Sequence, residues 1–390
     1  MGKKERKKIE VDTTGICKDV DYVDYECDFI DIHLPKYIEK YGIDPNFEGM
    51  QEYRRVLRKD LKVALVKDKD DRGRWPVSHK LTRAGIMKIL RHVNHFKNLL
   101  LTPLTPDAVP LAAVYDFNQM MYVDVFKADF LYNQIEALSG GDMTKKQMDD
   151  IILVIAASAE RVLPRRKETE IPCENYIYDE ATGEKIPYGP DVYMLSHGVI
   201  DYDPNAENPH FHNPEDGTDW DMDSWLLELF DGDEEMVDLF WQINARLVRP
   251  GLPCVGVAMY VGDKGNNGKG SLIHLQRHLV GEGSYASVDF AEFAREYGLN
   301  ALVRATCILC DENEMNYLFA GNARLKAVLD AMSEFRIGRK YLPDLTMTFP
   351  GFAVECVNEL PRMADKTDSI YRRIIPIPFN KSYTNVKKNI

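Results

Sequence analysis

The stretch Met259-Tyr-Val-Gly262-Asp-Lys-Gly265-Asn-Asn-Gly268-Lys269-Gly270-Ser271 decides how this chain is read. It lies between an apolar run, Val255–Val261, and a segment, Lys269–Leu279, whose apolar residues recur at helical spacing. Strand, glycine-rich turn and helix in that order are the setting of a P-loop. Glycines let backbone amides curl around phosphate oxygens, the helix start adds positive potential, and a lysine reaches the outer phosphates. Gly262, Gly265, Asn266, Asn267, Gly268, Lys269, Gly270 and Ser271 are therefore the candidate nucleotide-binding residues. Two features depart from G-x-x-x-x-G-K-[ST]. One additional residue separates Gly262 from Gly268, and Gly270 holds the hydroxyl position, which leaves Ser271 as the magnesium ligand. The competing reading is an ordinary Gly-Asn turn.

ATP hydrolysis at such a loop needs an acid at the end of a neighbouring strand to hold Mg2+ and another to activate water. The apolar run Thr306–Cys310 ends in Asp311-Glu312, so Asp311 is expected on the metal with Ser271, and Glu312 is expected to polarise the attacking water. A further strand, Phe352–Val357, ends in Asn358, whose amide suits the attacking water or the γ-phosphate; a plain turn residue is the alternative. Arg372 and Arg373 precede the apolar run Ile374–Phe379. In a ring, one of them can reach a neighbour's ATP and supply charge in the transition state; otherwise they form a salt-bridged surface pair.

These runs, with a helical stretch at Asn322–Met332, alternate strand and helix beyond Gly251. Continuously apolar strands in alternation imply a parallel sheet covered on both faces. The expected fold is thus α/β, a P-loop core with a parallel sheet, preceded by a mainly helical N-terminal domain and a small β-rich insert. Helical spacing runs from Phe29 to about Leu163, clearest at Lys80–Phe96 and Thr144–Val162. Short β-rich runs follow at Ile171–Tyr178, Ile186 and Val192–Leu195. Asp201–Asp219 reads as a loop, Asp223 or Ser224 as the cap of a helix from Trp225, and Glu234–Leu247 as a second helix. The boundaries predicted are a linker or mobile N-terminus at 1–30, a helical domain at 31–165, a β-rich pre-motor region at 166–220, a motor at 221–383 and a tail at 384–390.

The net charge of −13 is unevenly placed. Fifteen acids lie between Asp191 and Asp238, where there is no Lys or Arg, and setting them aside leaves +2 on the rest. A pore or groove needs only local positive potential, so nucleic acid is not excluded as a partner. No apolar run approaches the roughly 18 uncharged residues of a membrane span, and the N-terminus lacks a signal peptide's apolar stretch, so an intracellular location is expected. The seven cysteines are too sparse for a disulfide scaffold. Cys307 and Cys310 have CxxC spacing but sit in an apolar run, and a buried strand is favoured over zinc. His210 and His212 read as part of a solvated loop.

The order of elements resembles the superfamily-three helicases in their phage, plasmid and poxvirus primase–helicase form. The resemblance covers Ile171 to about Tyr383 and rests on Asn267-Gly-Lys-Gly-Ser271, Cys310-Asp-Glu-Asn-Glu314, Val357-Asn-Glu-Leu-Pro361, and Tyr371-Arg-Arg373 with Ile377-Pro-Phe379. It implies an AAA+-type motor, usually a hexameric homo-oligomer, that hydrolyses ATP with Mg2+ and moves 3′ to 5′ on single-stranded or forked DNA. It also implies a β-hairpin whose basic tip grips DNA in the pore. Glu334–Thr348 fits such a hairpin, with a turn expected near Pro343-Asp344 and Arg336, Arg339 and Lys340 as the DNA-binding residues; a solvated hairpin face is the alternative. Family members often carry a primase or polymerase module, and the chain is expected to be the helicase part of a larger replication protein, in the host cytoplasm if phage-encoded. Two other readings stay open: a stand-alone P-loop phosphotransferase, and a nucleotide-binding ring scaffold that does not unwind DNA.

Overall fold

Strands and helices beyond Gly251 condense around one parallel sheet in the computed structural model, which describes residues 22–42, 47–67, 80–313, 318–319, 323–363 and 370–383. Most of the predicted lead-in, the predicted tail and Glu314 lie outside these residues. The chain divides into two compact units, the second of which takes in residues 99–111 and 119–122 as well as everything from Val162 onward.

Up to Val162, helices α1 (Tyr22–Tyr41), α2 (Phe47–Lys67) and α3 (Arg83–Val93) are followed by strands β1 (Phe96–Leu99), β2 (Leu111–Asp116) and β3 (Met121–Asp124). Helices α4 (Asp129–Ser139) and α5 (Lys145–Ala157) and strand β4 (Glu160–Val162) come next. Helix α3 starts where Thr82 accepts the Gly85 N–H, and Thr82 is in turn held by the buried Glu26 of α1 at 2.7 and 2.9 Å. A Thr144–Gln147 capping box starts α5. Helices make up most of this stretch, and beside them β1 to β4 form a four-stranded sheet in the order β3-β2-β1-β4 that the helical pattern did not announce. Three of these strands have four residues or fewer, too few for a period of two to stand out from flanking helical patterns.

In the second unit, β5 (Glu170–Pro172), β6 (Tyr176–Asp179) and β7 (Glu184–Pro187) make the antiparallel insert. Val192–Leu195 forms no strand. Within the acidic loop, β8 (Phe211–His212) and β9 (Asp219–Trp220) pair and stack Phe211 on Trp220 at 4.4 Å between ring centroids. Helix α6 (Met222–Leu229) begins earlier than predicted. Asp221 is its cap, and Ser224 sits three residues inside, completing the box. Helix α7 (Glu234–Leu247) is capped by Asp233.

Strand β10 (Val257–Val261) leads into helix α8 (Lys269–Val280), then β11 (Tyr285–Ala286), β12 (Cys307–Cys310), β13 (Leu318–Phe319) and helix α9 (Ala323–Val328). The hairpin β14 (Glu334–Arg339) and β15 (Leu342–Thr348) precedes β16 (Phe352–Val357), β17 (Arg362–Met363) and β18 (Ile374–Pro378). The parallel sheet has the order β11-β12-β16-β10-β18. One face carries Ala258, Tyr260, Cys307, Leu309, Phe352, Val354 and Cys356, which pack with Phe240, Ile243, Leu272 and Ile273 of α7 and α8. Removing a fully buried ring such as Phe240 from that layer costs about 3–5 kcal/mol. Among the described residues no helix is long and apolar enough to cross a membrane.

Candidate functional site

The chain leaves β10 at Val261 and turns tightly. Gly262 donates its N–H to Val357 O at 3.1 Å, and a Cβ there would lie 2.4 Å from Asn267 Nδ2 and 2.8 Å from Phe379 O. Asn266 (φ 55°) and Gly268 (φ 89°) take left-handed conformations that curl the loop back onto α8. The loop is tied from outside by Tyr383 N–H to Asn266 O at 2.9 Å and Ser382 Oγ to Gly265 O at 3.2 Å. A Cβ at Gly265 or Gly270 would meet nothing within 4 Å, so neither glycine is required for packing. Gly268 caps α8 without a side chain, and the Lys269 N–H makes a long 3.5 Å bond to Asn267 Oδ1, so the start of this twelve-residue helix can face an anion. Asn267 is buried, and its Nδ2 has no partner among the described residues.

Lys269 and Asn358 come together. The Lys269 ammonium donates to Gly262 O at 2.5 Å, Val357 O at 3.0 Å and Asn358 Oδ1 at 3.5 Å. Partial burial draws its pKa below the ordinary lysine value. The meeting follows from strand order, since β16 is the immediate neighbour of β10.

The acid strand is not that neighbour, contrary to expectation. β12 lies one strand beyond β16, which puts its end about 10 Å from the P-loop strand. Asp311 and Glu312 are exposed there. Arg277 of α8 grips Asp311 at 2.9 and 3.3 Å and also donates to Leu309 O at 3.2 Å. The Cys310 thiol donates to Glu312 O at 3.1 Å. Burial pushes the Cys356 thiol up to about 12, with the charges of Lys269 and Arg277 drawing it down and those of Glu355 and Asp311 raising it. Cys307 and Cys310 are buried on opposite faces of β12, so they do not converge on a common ligand position.

The adjacent arginines differ. Arg373 is buried and donates to Asp330 Oδ1 at 3.2 Å, while Arg372 is exposed. Asp330 is held below the usual carboxylate range by the Ser333 hydroxyl and by Arg373, against its partial burial.

The DNA-binding candidates lie on the separate two-stranded sheet. Arg339 pairs with Leu342, so the turn falls at Lys340-Tyr341 and not near Pro343-Asp344. Tyr341 has φ 64° and is 91% exposed, with the Lys340 amine 5.1 Å from its ring centre. Arg336 and Lys340 are exposed and Arg339 is half-buried. The hairpin's root is fixed by Thr102 and Thr105, whose hydroxyls donate to the Glu334 carboxylate at 2.7 and 2.9 Å.

Residues 260–373 match DUF5906, a family of unknown function. That stretch runs from β10 through the acids, the hairpin and Asn358 to the arginine pair. No curated protein matches the chain. Among solved structures, the chain is similar to the apo C-terminal region of NrS-1, with 15% identity and a TM-score of 0.44 over 78% of this chain and 63% of that one. It is also similar to JCV helicase bound to a thiazolopyridine acetamide, with 18% identity and a TM-score of 0.29 over 41% of this chain and 44% of that one. The chain therefore spans less than two thirds of the length of either.

Sequence reasoning missed Arg277, Asp330 and the two threonines, all partners supplied by distant segments. It also passed over Glu355, a carboxyl that is 1% exposed within β16. A charged residue inside an apolar run was the available signal.

Proposed function

We propose that this chain is the ATP-hydrolysing motor of a DNA helicase, of the AAA+ superfamily-three type, working as a hexameric ring on single-stranded or forked DNA in replication. The observation that carries the reading is the meeting of Lys269 with Asn358 at the mouth of the glycine loop, with the acid strand one place further along the sheet. The buried Asn267 Nδ2, without a partner among the described residues, and the start of α8 behind Gly268 suit a phosphate in that loop. An exposed hydroxyl and a carboxylate, Ser271 and Asp311, suit a magnesium ion that completes its shell with phosphate oxygens and water. Magnesium held there would neutralise charge developing on the phosphates.

In this mechanism Lys269 leaves its carbonyl partners for the β and γ phosphates. Asn358 orients the attacking water, and Glu312 accepts its proton. Arg372 reaches the neighbouring subunit's ATP and stabilises charge on the γ-phosphoryl group as ADP departs. Lys340 and Arg339 at the hairpin turn, with Arg336 behind them, contact the DNA backbone. Movement is 3′ to 5′, alongside a primase or polymerase domain or protein, inside the cell and in the host cytoplasm if the chain is phage-encoded.

One observation favours the scaffold reading. Arg277 already neutralises Asp311, the acid assigned to the metal. ATP hydrolysis with and without single-stranded DNA separates the readings. DNA-stimulated turnover abolished by Lys269→Ala supports the motor. Nucleotide bound but never turned over supports the scaffold, and turnover indifferent to DNA supports a phosphotransferase.

A further inference from the structure

Glu355 lies in the middle of β16, paired in register with Cys310, the last residue of β12 before the acids. Asn313, the residue after Glu312, folds back over this pair. Its Nδ2 donates to Glu355 Oε2 at 2.9 Å and to Cys356 O at 3.0 Å, and its Oδ1 accepts the Phe290 N–H at 3.0 Å. Both amide hydrogens and the amide oxygen are thus engaged. The segment Asp311-Glu312 is therefore fastened at two points, by β12 behind it and by Asn313 ahead of it. The second fastening is to β16, within three residues of Asn358. The Cys310 thiol on Glu312 O adds a third point.

We infer that Asn313 and Glu355 are positioning residues for hydrolysis, a clasp that sets the distance between the water-activating Glu312 and the water-orienting Asn358. This rests on the motor reading above. Neither residue touches the reacting atoms; the clasp acts through the two strand ends it joins. A displacement of about 1 Å between such groups costs on the order of 100-fold in rate. Glu355 works here as an acceptor inside the sheet. Burial and the Asp289 charge raise its carboxyl well above the ordinary range, while the bond from Asn313 opposes the rise.

The test compares the full chain with Asn313→Asp, Glu355→Gln and the double variant, measuring ATP turnover with oligo-dT, ATP affinity and the melting midpoint. Asn313→Asp keeps the shape and removes both donors, so Glu355 Oε2 and the Cys356 carbonyl each lose the N–H they accept, and the new carboxylate faces that carbonyl. Turnover is expected to fall about 30- to 100-fold while ATP affinity stays within about twofold. In the double variant the amide introduced by Glu355→Gln donates to the carboxylate introduced by Asn313→Asp, so the bond reforms with reversed polarity and about a third or more of the lost turnover returns. Turnover of Asn313→Asp equal to the parent overturns the positioning role alone. So does a loss that follows ATP affinity or melting midpoint in step. A parent that binds ATP and turns none over with DNA overturns the motor reading and the positioning role together.

Discussion

Arg372 and Arg373 are neighbours in sequence with different surroundings, and the difference is measurable. Arg373→Ala leaves the Asp330 carboxylate without the guanidinium now 3.2 Å away. Breaking a fully buried pair costs about 3–5 kcal/mol, and an exposed pair is worth at most about 1. Here the Arg373 side chain is 9% exposed, Asp330 is 33% exposed, and the Ser333 hydroxyl stays in place. The discounted loss is about 1–2 kcal/mol, or roughly 2–6 °C in melting midpoint for a domain of this size. Arg372→Ala removes an exposed side chain and is expected to change stability by less than about 0.5 kcal/mol. It is expected to lower DNA-stimulated turnover about 1000-fold, the contribution of an arginine finger. On the proposed ring reading the finger serves a neighbour's site, so mixing Arg372→Ala with Lys269→Ala subunits is expected to restore activity that neither has alone. In an equal, random mixture about one site in four has both its own lysine and a neighbour's arginine, so about a quarter of parental turnover is expected. A mixture as inactive as its components, or an Arg372→Ala protein at parental activity, refutes the shared site. An Arg373→Ala protein with an unchanged melting midpoint refutes the division of roles.

Other outcomes follow from the same geometry. Arg277→Ala frees Asp311 from a competing cation and is expected to lower the magnesium concentration for half-maximal ATPase activity about two- to tenfold; an unchanged or higher requirement places the metal elsewhere. Lys340→Ala is expected to flatten the dependence of log affinity for oligo-dT on log salt by about 0.7, one phosphate's worth for a single strand, with an unchanged slope counting against the hairpin as the DNA grip. Glu355 binds a proton in the folded chain at pH values where the unfolded chain has released it, because its folded pKa is raised. Its contribution is complete below the ordinary carboxylate range and is lost as pH rises toward the raised value, at up to about 1.4 kcal/mol per pH unit. Urea midpoints of the parent should therefore fall over that window and those of Glu355→Gln should fall less, and parallel curves would show that Glu355 does not titrate as argued.

The sheet was legible where local signals agreed. Phe352–Val357 reads as a buried strand from its run of apolar residues, and α7 from its periodicity after Asp233. The four-stranded sheet of β1 to β4 was hidden by strand length. The hairpin turn was misplaced because Pro343 and Asp344 are strong turn formers. Register decided otherwise, since Phe335 and Ile337 must share a face with Leu345 and Met347, and that pairing leaves only Lys340-Tyr341 to turn. The glycine loop, the lysine and the acids were readable from spacing. Their partners were not: Arg277 is 34 residues from Asp311, Asn313 is 42 from Glu355, and Arg373 is 43 from Asp330. Such pairings depend on strand order, which no local pattern encodes.

The threonines at the root of the hairpin bear on how the chain can be dissected. Glu334 takes its hydrogen bonds from Thr102 and Thr105, more than 200 residues earlier, and the Thr348 N–H bonds Leu101 O at 3.2 Å. A minimal motor cut at the start of the β-rich insert would keep every nucleotide-binding motif yet strip the hairpin of its footing, leaving a half-buried carboxylate with two hydroxyls missing. On the proposed reading the cut protein keeps its nucleotide site but loses its hold on DNA, and a weak fragment would reflect the surgery more than the intact chain. The same tie means that during synthesis the hairpin's anchors leave the ribosome long before the hairpin does, so this part of the fold closes only after Thr348 has been made.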